Sequence, residues 1–406
     1  MNKAESERLG SLLEHLGYKK ATSLESADLI VLNSCVVRQS AENRVVGKLN
    51  SLKSLKRWHP QVTIALTGCL VNSNTESLKK RFPHVDYFFK PGEVPDWLEE
   101  IKSFPLPEHP GPTAFVPIIQ GCDNFCSYCI VPYRRGRERS RSPQEIVDEV
   151  EELVKRGVRE VTLLGQNVNS YGHDLPGKPD LASLLTLLND VDGLYRIRFL
   201  TNHPKDMSSR LIEVVASLDK VCEHLSLPVQ SGSDEILSAM RRGYTAQNYR
   251  RLVYEIRERI PQVALSTDVI VGFPGERERH FKETFRLLEE LRFDTVHVAC
   301  YSPRPGTLAS RELKDDVPQE EKRRRLEEVE RLQENIAAQI NERLLGEVVE
   351  VLVEGEKGGK WYGRTRTGKL VFFSSRDELE GRLVQVKIEK TSPWSLQGKL
   401  ENKKSN

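Results

Sequence analysis

The segment GCDNFCSYC carries three thiols, Cys122, Cys126 and Cys129, at CxxxCxxC spacing within one short loop. Three thiolates can hold three irons of a cubane and leave the fourth with an open coordination position for a substrate. A structural zinc site is the competing use. Zinc in that role closes with four ligands, yet the nearest histidines, His109 upstream and His173 downstream, do not stand at finger spacing. The spacing therefore favours iron and sulfur without settling the choice. Cys35 and Cys69 end two apolar runs, DLIVLNSC and VTIALTGC. The C-terminal ends of parallel strands converge on one crevice, where two thiols could meet, although a buried cysteine is also commonly a small apolar side chain. Cys222 and Cys300 lie in core strand patterns and read as structural.

Two further groups have the composition of a polyanion site. Arg134, Arg135, Arg137, Arg139 and Arg141 follow the cysteine loop, where solvated charge and phosphate contact are equally good readings. Near the C-terminus Lys360, Trp361, Tyr362, Arg364, Arg366, Lys369, Phe372 and Phe373 interleave cations with rings. That mixture suits backbone contacts plus base stacking, and alternate aromatics would equally serve a core.

These residues need elements to position them, and 406 residues exceed what one core usually organises. A net charge of +2 gives no global polyanion signal, so any nucleic-acid surface must be local. The start lacks a signal-peptide apolar region, and no stretch approaches the ~20 apolar residues that span a bilayer. A cytoplasmic location is expected, and in that reducing compartment clustered cysteines among the seven point to metal or redox work.

Leu9, Leu12, Leu13 and Leu16 form the core face of a helix closed by Gly17. Helix and strand then alternate through DLIVLNSC, the Val45, Leu49 and Leu52 helix, VTIALTGC, NTESLKKRF, DYFFK and VPDWLEEI. Alternation of this kind predicts a parallel α/β domain over 1–102. The proline-rich SFPLPEHPGPT reads as a linker, 103–113. Six apolar runs follow in 114–340: FVPIIQ, VTLLGQ, IRFLTN, HLSLPVQ, STDVIVGF and TVHVACY. Between the first two, Ser142, Pro143 and Glu145 mark a capped helix start. Six β/α units are too few to close, so an open (β/α)6 partial barrel is expected, with its chemistry at the C-terminal strand ends. The charged helix from Val317 to about Leu345 reads as solvated. Short alternating strands predict a small antiparallel β-barrel within 341–401, and the tail 402–406 is expected to be disordered.

The cysteine loop opening a six-unit β/α core resembles the radical S-adenosylmethionine (SAM) superfamily. GCDNFCSYCIVPYRRGRERSRSPQEI, LLGQNVNSYG, LPVQSGSD, MRRGYT, DVIVGFPGE and YSPRPGT, in that order, narrow the resemblance to the methylthiotransferases. LLGQNVNSYG and the closing barrel look more like the tRNA-modifying branch than the branch acting on a ribosomal protein. GRTRTGKLVFF and SPWSLQGKL resemble the TRAM domain, an RNA-binding module.

The resemblance implies that Cys122, Cys126 and Cys129 bind a 4Fe-4S cluster whose open iron chelates SAM, and that one electron cleaves SAM to a 5′-deoxyadenosyl radical. It places Tyr128 beside the SAM adenine and Gly165, Gln166, Asn167, Gly272, Phe273 and Gly275 along the SAM pocket. It makes Cys35 and Cys69 two of three ligands of a second, auxiliary 4Fe-4S cluster, and gives Arg364, Arg366 and Lys369 to RNA. The implied substrate is N6-isopentenyladenosine adjacent to the anticodon (position 37), receiving sulfur and then methyl at carbon 2. N6-threonylcarbamoyladenosine is the rival substrate within enzymes, and a non-catalytic iron–sulfur RNA-binding protein the rival outside them. Implied partners are tRNA and a reductant such as flavodoxin or ferredoxin, with no membrane and a monomeric chain. In the family a strand ending in a cysteine precedes the Met-Asn segment that here begins the chain as MNKAESE. The expectation is thus a first domain lacking that strand and the third ligand.

Overall fold

The computed structural model describes residues 1–36, 39–71, 75–91, 93 and 106–401. The chain divides into two compact units. One comprises residues 1–108 with 121–123 and 129–137, and the other the remainder.

In the first unit, α1 (Asn2–His15) buries Leu9 and Leu12. Gly17, at φ +86°, turns the chain so that the Tyr18 N–H reaches Leu13 O at 3.0 Å. The strands β1 (Leu29–Ser34), β2 (Thr63–Gly68) and β3 (Tyr87–Phe88) run parallel in that order, with Ile30 opposite Ile64 and Ser34 opposite Gly68. Leu49 and Leu52 of α2 (Gln39–Trp58) and Leu78 of α3 (Thr75–Arg81) pack on Ile64, Leu66 and Phe82. This is the expected parallel α/β layer. The DYFFK run contributes only two paired residues, and VPDWLEEI, 94–101, lies outside the described residues. A short α4 (Val131–Arg135) also belongs to this unit.

The second unit opens with β4 (Thr113–Pro117), so Thr113 is a strand residue rather than linker; 106–112 contain no helix or strand, and 103–105 lie outside the described residues. The pair β5 (Ile119–Gln120) and β6 (Arg139–Ser140) is antiparallel. Then come α5 (Pro143–Lys155), β7 (Glu160–Leu164), α6 (Leu181–Asn189), β8 (Arg196–Phe199), α7 (Ser209–Ser217), β9 (His224–Ser226), α8 (Asp234–Ala239), α9 (Ala246–Arg259), β10 (Ala264–Val271), α10 (Glu278–Leu291) and β11 (Thr295–Cys300). The Ser142–Glu145 capping box forms as the sequence predicts. Parallel sheets β4-β7-β8 and β11-β10-β9 are joined by a bridge between Ile197 and Val221, giving the expected six-stranded open partial barrel.

After α11 (Leu308–Glu312), α12 (Gln319–Glu342) departs from the solvated reading. Lys322 and Arg325 are buried, paired with Asp315 at 2.6 Å and Glu276 at 2.7 Å. Its blocks of charge hide a face whose cations are neutralised inside the protein. The chain ends in a closed barrel, β12 (Val348–Lys357), β13 (Lys360–Arg364), β14 (Leu370–Phe373), β15 (Leu383–Thr391) and β16 (Leu396–Leu400), in the order β12-β13-β14-β16-β15. The tail 402–406 lies outside the described residues, among which no helix is long and apolar enough to cross a membrane.

Candidate active site

Several constraints shape the cysteine loop. Gly121 adopts φ +85°, and a Cβ there would lie 2.1 Å from Arg137 O, so only glycine allows the approach. Arg137 pairs with Asp123 at 2.7 Å, and the Cys122 N–H donates to Gly136 O. In the second unit, Ser127 donates its N–H to Met240 O at 3.0 Å and its hydroxyl to Ala239 O at 2.7 Å, while its carbonyl accepts from the Ala309 N–H. Phe125 sits at φ +46°, an uncommon conformation for a bulky residue and one that concentrates at functional loops. Cys126 is buried; Cys122 and Cys129 are half-buried. Cys126 Sγ accepts from the buried Arg242 Nη1 at 3.3 Å.

Tyr128 packs on a cluster formed by Ile236, Met240, Phe273, Tyr301 and Ala309. Phe273 has no exposed surface and meets the Tyr301 ring edge-on at 5.2 Å, within the cluster on which Tyr128 packs. The amides of Gly272 and Gly275 are taken by Glu276 and Asp316 carboxylates at 3.1 and 2.8 Å. Those two glycines thus fold the GFPGE turn. Gly165 lies against Ile119, where a Cβ would come within 2.4 Å of the side chain. Gln166 stands beside it, half-buried.

Beyond the C-terminal ends of β7 and β8 three buried polar atoms find no protein partner among the described residues: Asn167 Oδ1, Asn202 Oδ1 and His203 Nε2. Asn167 is held through its Nδ2 by Asp206 at 2.7 Å, and Asn202 by Ser226 O at 2.9 Å. His203 Nδ1 accepts from the Lys205 N–H, and its ring meets Tyr244 edge-on at 5.8 Å. Burial, with Arg242 and Lys205, pushes the His203 imidazole down to about 2. An orphaned buried polar atom costs ~1–3 kcal/mol, and such groups persist where a ligand completes them. A polar ligand at these strand ends fits that pattern.

In the first unit, Cys35 and Cys69 follow β1 and β2. Burial pushes the Cys69 thiol up, and Arg135 opposes that shift by charge and hydrogen bonding. Arg135 is itself buried on Glu5 and Asn2. Among the described residues no three Cys, His, Asp or Glu side chains converge to hold a single ion. A cubane asks for something wider, one thiolate per iron, and the thiol donor sets present are of the kind it takes.

Residues 116–288 match the radical SAM superfamily, 342–400 the TRAM domain, and 1–90 an uncharacterized protein family, UPF0004. A tRNA-2-methylthio-N(6)-dimethylallyladenosine synthase of Dehalococcoides mccartyi (strain CBDB1) is 58% identical over 402 residues, covering 99% of this chain and 96% of that protein. Another, of Roseiflexus sp. (strain RS-1), is 51% identical over 98% of this chain and 87% of its own. The chain belongs to the radical SAM tRNA methylthiotransferases. Methylthiotransferases are enzymes, and the core fold extends to distant relatives. The radical SAM methyltransferase TsrM from Kitasatospora setae aligns with TM-score 0.54 at 15% identity over 86% of this chain and 71% of that one, a likeness of fold alone.

In this methylthiotransferase the terminal barrel is fastened to the core by the cations expected to contact RNA. Arg366 donates to Glu223 at 2.7 Å and to the carbonyls of Asp219 and Val221, and Lys369 pairs with Asp294 at 2.6 Å. Glu223 and Asp294 thus engage both residues in holding the barrel to the core. Arg364 remains exposed, with Glu354 at 3.3 Å. Of the aromatics, Trp361 and Phe373 fill the barrel core, whereas Tyr362 and Phe372 form a half-exposed pair at 6.3 Å on its outer face. Much of the basic run after the cysteine loop is likewise engaged: Arg135 with Glu5, Arg137 with Asp123, Arg141 with Glu149.

Sequence reasoning missed Arg242, Asn202 and His203. The MRRGYT motif was visible, but nothing in its spacing says that its second arginine turns inward onto a cysteine.

Proposed function

We propose that this methylthiotransferase installs sulfur and then a methyl group at carbon 2 of N6-isopentenyl (dimethylallyl) adenosine at position 37 of tRNA. The observation that carries the reading is the 58% identity over nearly the full length of both chains to a synthase of that name. Membership of the radical SAM superfamily brings a 4Fe-4S cluster and SAM as cofactors. When bound, they supply a one-electron reductive cleavage that yields a hydrogen-abstracting 5′-deoxyadenosyl radical.

The chain's own residues have separate tasks in this reading. Cys122, Cys126 and Cys129 hold the SAM-cleaving cluster, and Ser127 keeps that loop on the end of α8. Tyr128, backed by Phe273, covers the adenine of SAM, while Gly165, Gln166 and Asn167 border the pocket with Asn202 and His203. The neutral His203 ring offers a hydrogen bond without adding charge beside Arg242. Cys35 and Cys69 contribute to the auxiliary cluster. The domains are assigned to 1–102, 114–340 and 341–401, and the barrel docks tRNA through Arg364, Tyr362 and Phe372. A one-electron donor of flavodoxin or ferredoxin type, a cytoplasmic location and a monomeric state complete the reading.

Anaerobic reconstitution with tRNA, SAM, sulfide and a reductant tests it by nucleoside analysis. The 2-methylthio derivative of N6-isopentenyladenosine is expected. Methylthiolation of N6-threonylcarbamoyladenosine instead would reassign the substrate, and absence of SAM cleavage by the reduced protein would overturn the enzymatic reading.

A further inference from the structure

Arg242 is a buried cation aimed at a sulfur. It is 5% exposed, donating from Nη1 to Cys126 Sγ at 3.3 Å, from Nη2 to Pro228 O at 2.8 Å and from Nε to Tyr244 Oη at 3.0 Å, with its guanidinium 5.4 Å from the Tyr244 ring centroid. The backbone enforces this placement. Arg241 at φ +57° and Gly243 at φ +73° are both left-handed, and the turn they frame carries Arg242 inward. The residue opening that turn, Met240, accepts the Ser127 N–H, so one turn fixes both the cysteine loop and the arginine that faces it.

We propose that Arg242 is a positioning residue that acts through Cys126 to raise the reduction potential of the SAM-cleaving cluster. The inference rests on the reading that Cys126 is a ligand of that cluster. Reduction adds one electron from an external one-electron donor, and no bond forms or breaks at Arg242, whose protons stay on the guanidinium. The extra negative charge spreads onto the ligand sulfurs. A charge-assisted N–H···S bond, made in a site closed to water, strengthens as the sulfur becomes more negative and so favours the reduced state. Hydrogen bonds to the sulfurs and net charge are levers that set such potentials.

The test is a redox titration of the reconstituted full chain, followed by electron paramagnetic resonance of the reduced-cluster signal that changes when SAM is added. In Arg242→Met that signal should remain, with wild-type iron content, but at the wild-type midpoint the ratio of reduced to oxidised cluster should fall at least about tenfold, a shift of about 59 mV for one electron. Arg242→Lys, which keeps the charge without the planar fork, should fall between the two. An unchanged midpoint in Arg242→Met overturns the proposal and leaves the cluster reading intact. Should Arg242→Met fail to retain iron, the lysine variant decides: a lowered midpoint supports the proposal and a wild-type midpoint overturns it. A wild-type protein with no SAM-responsive signal overturns the cluster reading and the inference together.

Discussion

Replacing Arg198 with methionine should cost substantial stability at the joint between core and terminal barrel. Arg198 and Glu160 are each about 6% exposed as side chains and lie 2.8 Å apart. The same guanidinium donates to Arg366 O and Thr365 O, both at 2.7 Å. Removing one partner of a buried pair costs about 3–5 kcal/mol, and the low end applies here because Arg196 Nη1 still lies 4.0 Å from the Glu160 carboxylate. The two carbonyls lose their Arg198 donors, at roughly 1 kcal/mol each. Since neighbouring groups couple rather than add, a loss of about 5 kcal/mol is expected, measured by urea denaturation of the full chain. Glu160→Leu in the same protein removes a carboxylate left with only the longer Arg196 contact and should return about 1 kcal/mol. A loss below about 1 kcal/mol in Arg198→Met, or a double variant no more stable than the single one, would refute the claim that this buried pair fastens the barrel.

Cys126→Ala should abolish reductive SAM cleavage with the circular dichroism spectrum retained, because two thiolates do not secure a site-differentiated cubane; cleavage at the wild-type rate would remove the loop from the mechanism. Tyr362→Ala and Phe372→Ala should each weaken tRNA binding by about 1–3 kcal/mol in filter binding, as expected for lost base stacking, while Arg366→Ala should lower stability more than it lowers the salt dependence of binding. His203 supplies a pH dependence: its folded value is pushed down to about 2 from an ordinary 6.5, so the unfolded chain binds more protons between those values. The stability it confers is complete above about pH 6.5 and declines on acidification, by about 2 kcal/mol at pH 5. A thermal series from pH 7.5 to 5 should therefore slope less in His203→Phe than in the unaltered protein, and equal slopes would contradict this account.

The sequence by itself determined the architecture and the chemical class. Alternating apolar runs with capped helices specify parallel β/α units because their periodicity is a local property of the chain, readable without knowing what packs where. The six core strands duly form, as does the capped start of α5. The CxxxCxxC spacing is also local, since one loop supplies all three thiols. What the charged residues do was not legible. Arg366 and Lys369 read like RNA contacts, and nothing in their local pattern shows that Glu223 and Asp294, more than 70 residues away in sequence, hold them. Lys322 and Arg325 looked solvated because their partners, Asp315 and Glu276, are set by the fold rather than by the pattern of the helix that carries them. A charge declares its type in the sequence, but its partner is chosen by the fold, because pairing is set by distance in space and by the exclusion of water. Arg242 and Cys126, 116 residues apart, show the same rule at the active site. Neither residue's local pattern contains the other, and only the left-handed turn after α8 brings a cation onto the Cys126 sulfur.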